Sequence, residues 1–285
     1  MTAALSRFGE RRQHGRLLGF FYLLHPGPSL LVTAVFLAAV ALIERRVPSA
    51  LRTLQLLGLM LPAQFAIGTL NDVADAPSDR LAKPYKPLVR GVTNRRFATV
   101  VGVVLAIIGI GVSITINVTT AAFTVLGFSA GLLYDVGIGR TPLSVVPWWT
   151  GFSALAFATF AAAGRLNTAV LWIIPLALFL SLGLHCANVL PDLDGDRKAG
   201  SRSLPVLMGR TGSRSTSLFA PVVAVALAVW TAVAASALTW AVVATAALLL
   251  ALVTAVAASR EMRSFPPLAV GSALLAVAWL ATVPR

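Results

Sequence analysis

Long apolar runs separated by short polar turns organise this chain. A helix needs about 20 mostly apolar residues to cross a bilayer. Nine stretches approach that length: roughly 17–43, 53–71, 97–116, 119–135, 144–163, 167–188, 215–236, 238–258 and 265–282. No period-2 alternation and no polar domain lies between them. The pattern predicts an all-α membrane protein with nine transmembrane helices, forming a single domain over residues 1–285. The break between the third and fourth stretches is the weakest, marked only by Asn117 and two threonines. The first stretch follows Arg7, Arg11, Arg12 and Arg16, as the apolar region of a secretory leader would. It is much longer than the about 7–15 residues such a region needs, so it reads as a retained first helix.

Composition agrees with this pattern. The 285 residues are 58% hydrophobic and 12% charged, whereas a soluble domain carries about 25% charged residues. A net charge of +13 raises the question of nucleic acid, but no basic helix with interleaved aromatics is present to read bases. The positive-inside rule accounts for the excess base instead. With the N-terminus in the cytoplasm, 18 of the 23 Lys and Arg residues fall on the cytoplasmic side; Arg45, Arg46, Arg52, Arg165 and Arg285 fall on the other. The single cysteine, Cys186, excludes an internal disulfide and reads as a small core residue.

The acids change the picture most. Six of the ten lie in two clusters, Asp72, Asp75 and Asp79, then Asp192, Asp194 and Asp196, each ending an apolar stretch on the predicted cytoplasmic side. Each cluster opens with an asparagine at one spacing: Asn71, Asp75, Asp79 and Asn188, Asp192, Asp196. On a helix this spacing drifts only about 40° per step, so each trio is expected to line one face. Pro77 and Pro191 are expected to turn part of each cluster into loop. Carboxylate and amide oxygens are hard ligands suited to Mg²⁺. Arg80, Lys83, Lys86 and Arg90 follow the first cluster, and Arg197, Lys198 and Arg202 follow the second. Acids that hold Mg²⁺, beside bases that hold phosphate oxygens, describe a diphosphate site. The alternative, solvated loop acids next to positive-inside bases, fits Asp72 and Asp194 as well as a functional role does. It fits the repeated trios poorly, because acids near membrane depth are rare and usually functional.

The stretches "NDVADAPSDRLAKPYKPLVRG" and "NVLPDLDGDRKAGSRSLPVLMG" resemble the two aspartate-rich motifs of the UbiA-type intramembrane prenyltransferases. They are most similar to the branch with homogentisate prenyltransferases, chlorophyll synthases and geranylgeranylglyceryl phosphate prenyltransferases. The resemblance implies a helical bundle around a central cavity open sideways to lipid, with Mg²⁺ bridging both motifs to an isoprenyl diphosphate. By position, Asn71, Asp75 and Asp79 match the first motif and Asp192 and Asp196 the second, while Asn188 stands where some members have Asn or Lys. Many members carry a Tyr with a Lys four residues later. In "YDVGIGRTPLS", Tyr134 fits, but the fourth position on is Ile138, and the nearest base is Arg140. Either Arg140 reaches the diphosphate in the lysine's place, or the loop is rebuilt for another substrate.

The chemistry expected is ionisation of an allylic diphosphate to a carbocation and capture of the cation by an aromatic or other cyclic acceptor. Arg80, Lys83, Lys86, Arg140, Arg197 and Lys198 would contact the diphosphate. His185 reads as a base, an acceptor contact or, more simply, a hydrogen-bonded bundle residue. His25 reads as helix-start packing, Trp148 and Trp149 as an interfacial belt, and Asp135 as a loop acid or a partner of Arg140. A membrane terpene cyclase and a phosphoribosyl transferase stay open on the same fold. A secondary transporter would place acids near the bilayer midplane, in broken helices of related halves, rather than at helix ends beside bases. Twenty of the 23 bases are Arg, as in GC-rich bacterial genomes, which suits a bacterial plasma membrane.

Overall fold

The computed structural model describes residues 16–82, 86–259 and 264–283. Among them the regular structure is wholly helical: α1 Arg16–Leu23, α2 Pro26–Glu44, α3 Ala50–Ala82, α4 Arg95–Ile116, α5 Val118–Asp135, α6 Val145–Ala162, α7 Ile173–Val189, α8 Leu193–Lys198, α9 Leu204–Ala234, α10 Trp240–Ala258 and α11 Phe265–Leu280. Short 3₁₀ turns at Ile138–Arg140 and Thr168–Trp172 precede α6 and α7. Eight helices among the described residues are long and apolar enough to span a membrane. The ninth predicted stretch is the apolar helix α11, whose 16 residues reach only about 24 Å at 1.5 Å per residue.

Three boundaries differ from the sequence pattern. The first predicted span is broken: α1 stops at Leu23, and α2 starts at Pro26 after His25 adopts a left-handed conformation, φ 50° and ψ 57°. Pro26 has no N–H to continue α1, and it disfavours helical geometry in the residue before it. The second predicted span runs on to Ala82 through Pro62 and Pro77, so α3 has 33 residues. At about 50 Å it exceeds the roughly 30 Å hydrocarbon core. Helical structure before α9's apolar run begins at Leu204, and Gly209 bends it there with φ 71° and ψ −179°, a conformation open to glycine.

The helices close into a ring. Each long helix packs against the next in sequence, α7 pairs with α9, and α11 returns to α2. The faces that meet are small: α4 buries Ala98, Gly102, Ala106, Gly109 and Ser113, while Val100, Val104, Ile107 and Ile114 point outward and exposed. Small residues inside and large apolar residues outside are what membrane helices need, since lipid is as apolar as leucine and close backbone approach supplies the attraction. The largest core cluster lies in the second half, where Phe160, Leu176, Leu249, Leu268, Leu275 and Trp279 are buried together.

One of these close approaches brings α4 against α3, the helix that carries the first aspartate cluster. A Cβ at Gly109 would lie 2.9 Å from the Leu59 carbonyl oxygen and 3.1 Å from the Ala63 nitrogen. Backbone cannot rotate away, so Gly109→Val should overpack the pair. A loss of about 1–3 kcal/mol is expected, measurable as a lower midpoint of thermal unfolding in lipid or detergent. Gly111→Val, on open space, should leave the midpoint unchanged.

Candidate active site

The first aspartate cluster is helical throughout. Pro77 lies inside α3; it removes one hydrogen bond to the Val73 carbonyl but does not end the helix. The expected loop is absent, and Asn71, Asp75 and Asp79 share one face of a continuous helix. Asp72 lies off that face and is 2% exposed; Asp79 is 5% exposed. Lys86 serves both, with Nζ 2.8 Å from Asp72 Oδ1 and 2.6 Å from Asp79 Oδ2. His25 Nε2 lies 3.1 Å from the same Asp72 oxygen. The helix break before α2 thus puts a ring nitrogen onto α3, and His25 is the positive-φ residue that makes the break. Its side chain also packs against Gly68, where an added Cβ would approach His25 Cβ to 3.0 Å. The pattern of residues along the chain assigns neither His25 nor Asp72 this part. The "HPGP" breaker inside an apolar run is the signal that could have found it.

The same helix reaches α5. Asn71 Nδ2 donates to Asp135 Oδ1 at 2.7 Å, so Asp135 is a helix-end partner of the first motif rather than a loop acid. Tyr134, beside it, lies within electrostatic reach of both Asp75 and Asp196. Aspartates of both motifs thus lie near Tyr134. Trp148 and His185 are the tyrosine's ring neighbours, with centroids 6.3 and 5.9 Å away. Trp148 is thus an internal residue, not part of an interfacial belt. Trp149 donates from Nε1 to the Ile174 carbonyl at 2.8 Å.

The second motif is not one helical face. Asn188 lies near the end of α7, which stops before Pro191, and Asp192 leaves helical geometry at φ −101° and ψ 0° before the six-residue α8 carries Asp194 and Asp196. The chain turns here, so the spacing expected to align Asn188, Asp192 and Asp196 on one stripe does not do so. Asn188 and Asp192 are exposed and Asp196 half-buried. Asp194 pairs with Arg210 at 2.6 Å. Arg197 Nη2 donates to the Val206 carbonyl at 3.3 Å, which ties α8 to the start of α9. Lys198 and Arg140 are exposed. The Arg140 carbonyl accepts from Arg202 N–H at 2.8 Å, so the turn after α5 lies against the segment after α8. Lys83 is outside the described residues, as is the side chain of Arg80.

These oxygens have the chemistry that Mg²⁺ takes: hard carboxylate and amide donors from two motifs around one space. Among the described residues no three His, Cys, Asp or Glu side chains converge as a finished metal site. The cation held between Asp72 and Asp79 is the Lys86 ammonium. Burial pulls the pKa of Lys86 down, but its hydrogen bonds and charge interactions with Asp72 and Asp79 prevail and hold it above the ordinary value of 10.5. A raised lysine pKa stabilises the fold fully below the unfolded value, and the gain is lost as pH rises through the folded one. Lys86→Met leaves two buried carboxylates without their cation and should cost about 3 kcal/mol. The gap from wild type in denaturant or thermal unfolding should be constant between pH 7 and 9 and narrow only above pH 10.5.

Comparison with known proteins agrees with this outline. Residues 30–269 match the family model described as the UbiA prenyltransferase family. The digeranylgeranylglyceryl phosphate synthase of Thermococcus gammatolerans is 26% identical over 158 residues, covering 53% of this chain and 55% of its own. The bacteriochlorophyll synthase 33 kDa chain of Cereibacter sphaeroides is 29% identical over 168 residues, 55% of each. The 4-hydroxybenzoate octaprenyltransferase of Paracidovorax citrulli is 27% identical over 165 residues, 54% of this chain and 56% of its own. The chain thus spans about half the length of the relatives it matches. A UbiA homologue from Archaeoglobus fulgidus, solved bound to GPP and Mg²⁺, superposes with a TM-score of 0.69 at 17% identity, covering 93% of this chain and 99% of that one. A UbiA homologue from Aeropyrum pernix, solved in its apo form, gives 0.70 at 21% identity, over 87% and 94%. With the family model matched over most of its length and the fold shared, the chain belongs to the UbiA prenyltransferase family.

Proposed function

We propose that this protein transfers an isoprenyl group from an allylic diphosphate to an aromatic or other cyclic acceptor, within the membrane and with Mg²⁺. The observation that carries this reading is that both motifs meet the end of α5: Asn71 bonds Asp135 at 2.7 Å, and the Arg202 N–H after the second motif bonds the Arg140 carbonyl at 2.8 Å. Asn71, Asp75, Asp79, Asp192 and Asp196 would hold Mg²⁺, which neutralises charge on the departing diphosphate. The relative from Archaeoglobus fulgidus, bound to GPP and Mg²⁺, supports the pairing of donor and metal.

The chain's own groups have distinct tasks in this reading. Lys86 brings a protonated ammonium to the first motif, and Arg80, Lys83, Arg140, Arg197, Lys198 and Asn188 surround the diphosphate with donors. Such donors, fixed before the reaction, stabilise charge as it develops on the leaving group. Arg140 stands in for the lysine that many family members carry four residues after the tyrosine. The Tyr134 and Trp148 rings exclude water from the cation and present π faces to it. The apolar bundle accepts the isoprenyl tail, and residues 1–285 work as one domain. The motifs face the cytoplasm of a bacterial plasma membrane, as the distribution of Lys and Arg supports.

The test is diphosphate release by the purified protein from geranyl, farnesyl and geranylgeranyl diphosphates, with and without Mg²⁺ and a panel of aromatic acceptors. Release should need Mg²⁺ and an acceptor, and Asp75→Ala and Asp192→Ala should each lower it at least about 100-fold. Release without acceptor, yielding a cyclic hydrocarbon, would make the protein a terpene cyclase instead. No release from any isoprenyl donor would refute both.

A further inference from the structure

α5 ends on a carboxylate that its own surroundings do not favour. Asp135 is the last residue of the helix, with no base in the final turn, and a negative charge opposes the helix dipole at that end. It is only partly exposed, and its Oδ2 is buried without a hydrogen-bond partner among the described residues. Asp72 and Asp75 lie near enough to act on it electrostatically, as does Lys86. Lys86 itself contacts Asp72 and Asp79. A half-bonded carboxylate among like charges calls for an explanation.

What Asp135 does contact is the first motif. Asn71 Nδ2 donates to Asp135 Oδ1 at 2.7 Å. The contact is built into the packing of α3 and α5, because the turns before it also touch. A Cβ at Gly131, one turn before Asp135, would lie 3.4 Å from the side chain of Ile67, one turn before Asn71. An asparagine amide has a donor side and an acceptor side, which exchange when the group turns over, whereas an ionised carboxylate only accepts. Asp135 therefore binds the NH₂ side alone, and the carbonyl oxygen of Asn71 is left for another group. Asn71 and Asp75 lie one turn apart on the same face of α3, where side chains are neighbours. Both keep part of their surface open, so an ion has access to them.

We propose that Asp135 is a positioning residue for the metal site: it fixes the Asn71 amide so that the oxygen, not the NH₂, is presented to Mg²⁺ beside Asp75. This rests on the Mg²⁺-dependent reading above and deepens it. An amide turned the other way would offer N–H groups to a cation and repel it. A group that bonds the far side of a ligand in this way orients it and raises metal affinity without touching the metal. The unfavourable place of Asp135 at the end of α5 is then explained by what it holds across the helix interface.

Mn²⁺ suits the same hard oxygen donors as Mg²⁺, and electron paramagnetic resonance counts the free ion. The titration uses the purified protein with unreactive geranyl thiolodiphosphate at about pH 8, where carboxylates are ionised. Asp135→Asn, which can bond the amide either way round, should weaken Mn²⁺ binding about ten-fold. Asn71→Ala should weaken it too. Adding Asp135→Asn to Asn71→Ala should change nothing more, since the two residues act through one bond. Exchanging the pair, Asn71→Asp with Asp135→Asn, should restore binding, because a carboxylate there offers an oxygen whichever way it turns. That recovery also separates the loss from a folding defect. Undiminished binding in Asp135→Asn, an equal further loss on adding it to Asn71→Ala, or an exchanged pair no better than Asp135→Asn alone would overturn the proposal. Binding that is lost in Asp75→Ala but ignores Asp135 sinks only the Asp135 contact. No Mn²⁺ binding by wild type, or binding that survives Asp75→Ala, sinks the Mg²⁺ reading and this proposal with it.

Discussion

Near the C-terminal end of α3 two carboxylates lie almost out of reach of solvent, and buried negative charge must find a positive partner or be neutralised. Lys86 supplies the charge to Asp72 and Asp79 together. His25 Nε2 contacts the same Asp72 oxygen as Lys86. Much of the architecture at this end stems from that requirement. Lys86 must lie back against α3 to reach both carboxylates. The chain before α2 must break to bring a histidine, at the cost of a left-handed residue that is not glycine. Strain of this kind persists only where surrounding contacts over-determine it, and it concentrates at functional sites. Here the surrounding contacts are Gly68, which leaves room for the ring, and the two prolines that start α2.

The helices are legible in the sequence because the bilayer demands long apolar runs, and those runs are its strongest signal. Their ends are less so. Pro77 reads locally as a stop, yet α3 continues through it because one lost hydrogen bond is a small deficit in a 33-residue helix packed along α4. Pro191 does mark the end of its helix. Nothing in the two prolines distinguishes them. The difference lies in the residues after each, since Asp192 leaves helical geometry and a new short helix begins. The site is visible as residue types at a spacing. Partners across the fold are not visible. Asp72 is ambiguous by position, His25 and Asp135 read as local features, and the His185–Ser144–Leu204 link joins residues 41 to 60 apart.

The polar interior depends on how the helices touch. Small residues on the inner faces, such as the Gly102–Gly109 stripe of α4, let backbones come close enough for dispersion to hold them without a hydrophobic effect. That closeness also fixes where α3 presents Asn71 to Asp135 and where α7 presents His185 to Ser144. Bonds of 2.7 and 2.9 Å between side chains on different elements require backbones set to within a fraction of an ångström. In lipid the packing of small side chains is thus what positions the polar ones.

The ring is built in chain order: each long helix lies beside its successor, and α11 comes back to α2. Most contacts are therefore between neighbours in sequence, and a polypeptide synthesised from its N-terminus can bury each new helix against one already in place. The seam between α2 and α11 instead joins the two ends of the described fold across more than two hundred residues. Until α11 arrives, α2 lacks one of its neighbours, and the ring stays unclosed there. The shortest helix of the ring is thus the keystone of assembly: it decides when the bundle becomes a vessel.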